Sequence, residues 1–173
     1  MVIKDELLKE QSLANAKRIA EFACLVNSNF KELMDCFLSC EYRVAQRAAW
    51  AVSQSVEKNP AIVEPYIEML VDQLSRKDVH NAVIRNSLRI LQNLDIPEEF
   101  HGKILNACFA FIEDPSAPIA IKAFSLTMLD NLSKHYPEIK HELKLIIEER
   151  LDTETPAFKA RAKRILGKLT TER

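Results

Sequence analysis

The sequence predicts an all-α fold of helical hairpins stacked into a short solenoid. Three observations predict it. Apolar residues recur at i, i+3, i+4 and i+7 through most of the chain, without strand-like alternation. A register of small and aliphatic residues returns at a nearly constant interval. Glycine is almost absent: Gly102 and Gly167 are the only two in 173 residues. Two glycines cannot supply the turns of an all-β protein or the phosphate loops of a nucleotide-binding α/β fold.

The helices alternate between two kinds. The first kind, A, is expected over roughly 13–26, 41–58, 79–94, 117–135 and 156–169, and the second, B, over roughly 29–38, 60–76, 97–114 and 137–152. Short connections between them favour antiparallel hairpins. Residues 2–10 are expected to extend or cap the first A helix. Asn59-Pro60, Asp95-Ile96-Pro97-Glu98, Ser116-Ala117-Pro118 and Thr155-Pro156 each place a capping side chain just before a proline. A cap oxygen accepts from the free backbone donors of a first turn, where proline has no N–H to lose. Asp95 with Glu98 has the form of a capping box. Pro137 marks another start, and Pro65 moves the start of its helix toward residue 64.

The register is explicit. Each A helix carries a small residue, an aliphatic three later and an apolar residue four after that: Ala16-Ile19-Ala23, Ala49-Val52-Val56, Ser87-Ile90-Leu94, Ser125-Met128-Leu132 and Ala162-Ile165-Leu169. Successive small positions lie 33, 38, 38 and 37 residues apart. The B helices keep step through Met34-Phe37, Ile67-Leu70, Leu105-Cys108 and Leu143-Ile146. Small residues let neighbouring A helices approach, so Ala49, Ser87, Ser125 and Ala162 are expected to be buried. No hairpin buries both its faces alone, so the repeats must stack. A simple bundle gives no reason for a register of this length held across two helix types.

Length suits one domain over 1–173. The net charge of −1 gives the whole chain no pull toward nucleic acid or an anionic membrane. The first residues, MVIKDELLKEQ, place charges where a secretory signal needs an apolar core, and no apolar run reaches a membrane span. Cys24, Cys36, Cys40 and Cys108 show no CxxC spacing. A cytoplasmic protein with reduced thiols is expected.

The stretches YRVAQRAAWAVSQSVEKNPAIVEPYIEMLVDQL (42–74) and PIAIKAFSLTMLDNLSKHYPEIKHELKLIIEERL (118–151) resemble units of the HEAT-like helical repeat family, and the resemblance extends over about 13–169. More distantly, the chain is similar to HEAT-like proteins of the DNA alkylation repair type. The resemblance implies a short right-handed α-α superhelix of about four hairpins plus a C-terminal capping helix. It also implies a scaffold or adaptor that binds other macromolecules, with B helices lining the concave face. The turn aspartate and second-helix arginine usual in the family are not matched consistently, and NAVIRNSLRILQNL is an approximate unit.

No catalytic constellation emerges. His141-Glu142 does not extend to HExxH because residue 145 is leucine. His135 and His141 flank a turn, and His80 and His101 lie near helix starts. Cys36 and Cys40 with Cys24 lack the knuckle spacing of structural zinc. Cys108 occupies a core position and Cys36 adjoins one, where cysteine acts as a small hydrophobe. No nucleophile–base pairing, phosphate loop, metal or cofactor is expected. Trp50, the one tryptophan, falls in a mixed column with Lys17, Leu88, Leu126 and Lys163, which suits a partly covered site.

Charge is the functional clue. The predicted A ranges hold 14 Lys/Arg against 4 Asp/Glu, and the B ranges 6 against 14. Arg43, Arg47, Arg85, Arg89 and Lys122 exemplify the first. Glu64, Glu68, Asp72, Glu142, Glu148 and Glu149 exemplify the second. An acidic concave face and a basic convex one are implied by the resemblance; solvated surface with A-to-B ion pairs is the plainer account. The expected function is a non-enzymatic interaction module, a scaffold or adaptor that binds a protein or peptide on its concave B-helix face through Glu64, Glu68, Asp72 and Glu142, with a basic partner among the options. The competing expectation is a DNA-binding protein resembling the alkylpurine DNA glycosylases, which needs a basic groove where these helices are acidic. Lys159, Arg161, Lys163, Arg164 and Lys168 on the last A helix fit a polar end cap or a nucleic-acid contact. That helix has no following partner, so a subunit stacking on another chain is a third expectation. The oligomeric state is not set by the sequence.

Overall fold

A computed structural model of the chain describes residues 1–171. Among these residues there are ten α-helices, three short 3-10 segments and no strand. The A helices are α2 (Leu13–Ala23), α4 (Tyr42–Lys58), α6 (Asn81–Leu91), α8 (Ile119–Leu132) and α10 (Pro156–Thr171). The B positions hold α3 (Asn27–Phe37), α5 (Ile67–Asp72), α7 (His101–Glu113) and α9 (Ile139–Arg150). The chain divides into two compact units, Met1–Ile90 and Leu91–Arg173.

In the first unit α2 and α3 pack on α4. The core holds Ile19, Leu33, Met34, Phe37, Val52 and Leu70, each fully buried; a side chain of this kind contributes about 1.5–3 kcal/mol on burial. Residues 2–10 do not extend α2. They form a separate helix, α1 (Ile3–Lys9), ended by the extended residue Glu10. Buried Ile3 and Leu7 pack α1 onto α2, α3 and α4. The Arg47 guanidinium donates to the carbonyls of Leu7 (2.8 Å) and Leu8 (3.0 Å), closing the end of α1. Asn15 ties the break by donating to the carbonyls of Glu6 and Glu10.

In the second unit α7 pairs with α8, and α10 packs on α8 and α9. Ile104, Cys108, Ile112, Leu126, Leu143, Ile147 and Phe158 form its centre. Polar bonds link equivalent helices one repeat apart. Arg161 donates to the Ala123 carbonyl at 2.6 Å, and Lys168 pairs with Asp130 at 2.6 Å. Arg150 donates to the Glu113 carbonyl.

The small positions Ala16, Ala49, Ser87, Ser125 and Ala162 are all buried. Ser53 and Ser55 return their hydroxyls to carbonyls one turn back, whereas the buried Ser87 hydroxyl finds no partner among the described residues. Size rather than hydrogen bonding places serine there. The B register drifts in the second unit, where Ile104 and Ile147 are buried and their neighbours Leu105 and Ile146 only half so.

The predicted caps are only partly realised. Thr155 accepts from the Phe158 amide at 3.5 Å. Asn59 makes no side-chain cap, and the Asp95–Glu98 box does not form. Ser116 instead donates its amide and hydroxyl to Asp114, which holds that carboxyl below its usual range. Unpredicted caps occur at Ser12, which accepts from the Asn15 amide, and at His80, which accepts from the Ala82 amide. Pro65 acts more strongly than expected. Residues Pro60–Tyr66 wind as a 3-10 helix containing it, and α5 begins only at Ile67.

No described residue has positive φ, so neither glycine serves a left-handed turn. Gly167 lies inside α10, and a methyl group there meets no atom within 4 Å. Gly167→Ala is expected to stabilise the fold by about 0.5–1 kcal/mol. A thermal scan should read this as a rise of roughly 1–4 °C; a fall would contradict the open site.

Candidate functional site

The face of α5 is built by its burial pattern. Val63, Ile67, Leu70, Val71 and Leu74 turn inward. That leaves Glu64, Glu68 and Met69 exposed and Asp72 half-buried along one helical run. Glu64 and Glu68 form no ion pair among the described residues, whereas Asp72 is engaged. The structure thus brings Glu64, Glu68 and Asp72 onto one helical stretch. Glu142 stands separately in the second unit, exposed in the first turn of α9. There Leu143 and Ile147 are buried, and Glu148 faces Lys144 at 3.7 Å.

The charge division persists at the observed boundaries. The A helices carry 13 Lys/Arg against 3 Asp/Glu, and the B segments with their 3-10 turns 5 against 11. Many A-helix cations are tied down locally: Arg18 to Glu6, Arg47 to α1, Lys58 to Glu21, Lys168 to Asp130. Arg161 lies over the Phe124 ring at 5.3 Å, and burial holds its guanidinium below the ordinary range. Lys122, expected on a basic surface, is buried against Glu154 at 2.6 Å. Its register column, three residues before each small position, is mixed: Leu13 is exposed, Gln46 and Lys159 half-buried and Ile84 buried, so spacing carried no signal of this burial. Lys17, Arg43, Lys163 and Arg164 remain exposed without an ion pair among the described residues. Trp50 is half-buried on α4.

A cavity of about 250 Å³ opens in the first unit between the loops that precede α4 and α6. Tyr42 and His80 form one wall, their rings 4.2 Å apart and tilted by 48°. Leu38 and Val83 supply apolar surface. The Arg76 Nε donates to Asp78 at 2.9 Å. This contact raises the guanidinium and lowers the carboxyl relative to their ordinary values. Because His80 Nδ1 accepts from Ala82, the neutral ring carries its proton on Nε2. Sequence reasoning missed this site because its walls come from two loops roughly a repeat apart.

His101 is buried, with Nε2 2.8 Å from the Ile96 carbonyl and Nδ1 3.1 Å from the Tyr136 hydroxyl. It clamps a helix entrance, a role its sequence position did not disclose. His135 and His141 are exposed. No three His, Cys, Asp or Glu side chains among the described residues could hold a metal ion.

All four cysteines are free: Cys40 is exposed, Cys24 intermediate, and Cys36 and Cys108 buried. Burial pushes the Cys36 thiol up to about 11 and that of Cys108 up to about 12. Disulfide-reagent titration of the native chain is therefore expected to find one fast thiol, removed by Cys40→Ser, with Cys36 and Cys108 reacting only on unfolding. These two thiols ionise later folded than unfolded. Their contribution is intact below the ordinary thiol value of 9.0 and declines as pH rises toward 11 and 12.

No helix among the described residues is long and apolar enough to cross a membrane. Comparison with curated proteins gave no match, and comparison with solved structures gave none. The family model of the HEAT repeat domain matches residues 3–169, nearly the whole chain. Helices paired and repeated along the chain are what that family consists of. The chain belongs to the HEAT repeat domain family.

Proposed function

We propose that this protein is a non-enzymatic interaction module that binds a basic protein or peptide through the exposed carboxylates of its B helices. Glu64 and Glu68 form the main surface, with the half-buried, engaged Asp72 at its edge, and Glu142 is a second acidic point. HEAT repeats commonly serve as protein-interaction scaffolds. The observation that carries the basic-partner reading is exposure on one helical run: Glu64 and Glu68 stand in solvent without an ion pair among the described residues. Unpaired carboxylates on a rigid helix favour a cationic partner and speed its encounter.

A fluorescein-labelled Lys/Arg peptide tests this by anisotropy. Glu64→Lys with Glu68→Lys is expected to weaken binding about tenfold or more and to flatten its salt dependence. Circular dichroism should be unchanged, since both positions are exposed. Equal affinity in the double variant sinks the reading. Tight, salt-sensitive binding of a labelled DNA duplex without peptide binding would replace it with the nucleic-acid alternative.

A further inference from the structure

We infer that the cavity beside Tyr42 and His80 receives a bulky apolar side chain, aromatic in the best case, from the same basic partner peptide. This inference rests on the acidic-surface reading and specifies its ligand. At about 250 Å³ the cavity can hold a ring; a site of about 150 Å³ already accepts benzene. Its lining is apolar at Leu38 and Val83 and aromatic at Tyr42 and His80. The cation on its rim, Arg76, is already neutralised by Asp78, so the cavity does not select a phosphate or carboxylate. An apolar pocket with a self-satisfied polar rim is the surrounding that an interface anchor occupies.

Continuity with the acidic row sets the flanking chemistry. Gln73 lines the cavity and directly follows Asp72 on the run that carries Glu68. Glu68 lies roughly 7–8 Å along the helix axis from Gln73 and about 140° around it, a separation of about 10 Å. An extended peptide covers that distance in about three residues. The ligand is thus a segment with basic residues about three positions from an aromatic one. Met69, 44% exposed beside Glu68, offers apolar surface to the aliphatic stems of lysine or arginine.

Two probes test it. The first is a labelled hexapeptide of three basic residues, two glycines and a tryptophan, compared with its tryptophan-to-alanine counterpart. The tryptophan peptide is expected to bind about tenfold or more tighter. Tyr42→Ala, which removes one wall, and Val79→Trp, which fills the space, should each abolish that advantage while leaving the alanine peptide's affinity unchanged. The second probe is N-acetyl-tryptophanamide in an amide NMR titration, expected to shift Tyr42, Val79 and Val83. Equal binding of the two peptides with those amides unmoved overturns the pocket and leaves the acidic surface standing. Binding insensitive to Glu64→Lys with Glu68→Lys overturns both. A concentration-dependent dimer that Tyr42→Ala dissociates would make a second copy the occupant and overturn the peptide assignment.

Discussion

Replacing Lys122 with alanine is expected to destabilise the fold by about 3–5 kcal/mol, measured by urea unfolding. Lys122 and Glu154 meet at 2.6 Å with side chains only 5% and 8% exposed. The ammonium also reaches the Pro115 carbonyl at 3.3 Å. Truncation removes the cation and leaves the Glu154 carboxylate buried without compensation, and that residue accounts for most of the loss. Replacing both partners, Lys122→Met with Glu154→Leu, should recover most of it, because no buried charge then remains. The exposed pair Lys31–Asp35 supplies a contrast: at 2.8 Å it is geometrically similar, but its side chains are 66% and 64% exposed. Lys31→Ala should therefore leave the unfolding midpoint almost unmoved. A loss below about 1 kcal/mol for Lys122→Ala would show that water reaches the pair.

Phe158→Ala should cost about 3–5 kcal/mol. The ring is fully buried, as are Ala162 and Ile165 on the same face of α10. These three residues dock the helix onto α8 and α9. Around them, Lys168 and Arg161 bind α8 through Asp130 and the Ala123 carbonyl. Packing is the larger contribution, because a phenyl-sized void deprives several neighbours of contact at once. Hydrogen exchange of the α10 amides should accelerate before that of α8 in this variant. Lys168→Ala, at a position 51% exposed, should have a much smaller effect. If the two substitutions cost the same, the polar bonds rather than the apolar face hold α10.

The repeat was legible because packing leaves a periodic trace. Ala49, Ser87, Ser125 and Ala162 are small and buried as the register requires. The exposure of Glu64 and Glu68 was legible as well, since both fall off the apolar stripe of Val63, Ile67 and Leu70, whereas the half-burial of Asp72 was not. Local competition was less legible. Ser116 chose Asp114 over the start of α8, and the seven residues Pro60–Tyr66 around Pro65 took 3-10 geometry. Both outcomes depend on small differences between neighbouring backbone conformations, which residue type biases only weakly.

The sequence by itself determined the helical class, the alternation of two helix kinds, their approximate limits and the segregation of charge between them. Each of these follows from residue type and spacing along one chain, and burial enforces them at every repeat. Tertiary structure alone decided which charges remain available. It buried Lys122 on Glu154, spent Arg47 on the carbonyls of α1, and left Glu64 and Glu68 in solvent. It also assembled the Tyr42–His80 cavity from two loops distant in sequence. A charge or ring acquires its partners only when separate helices meet, and spacing along a single helix does not encode that meeting.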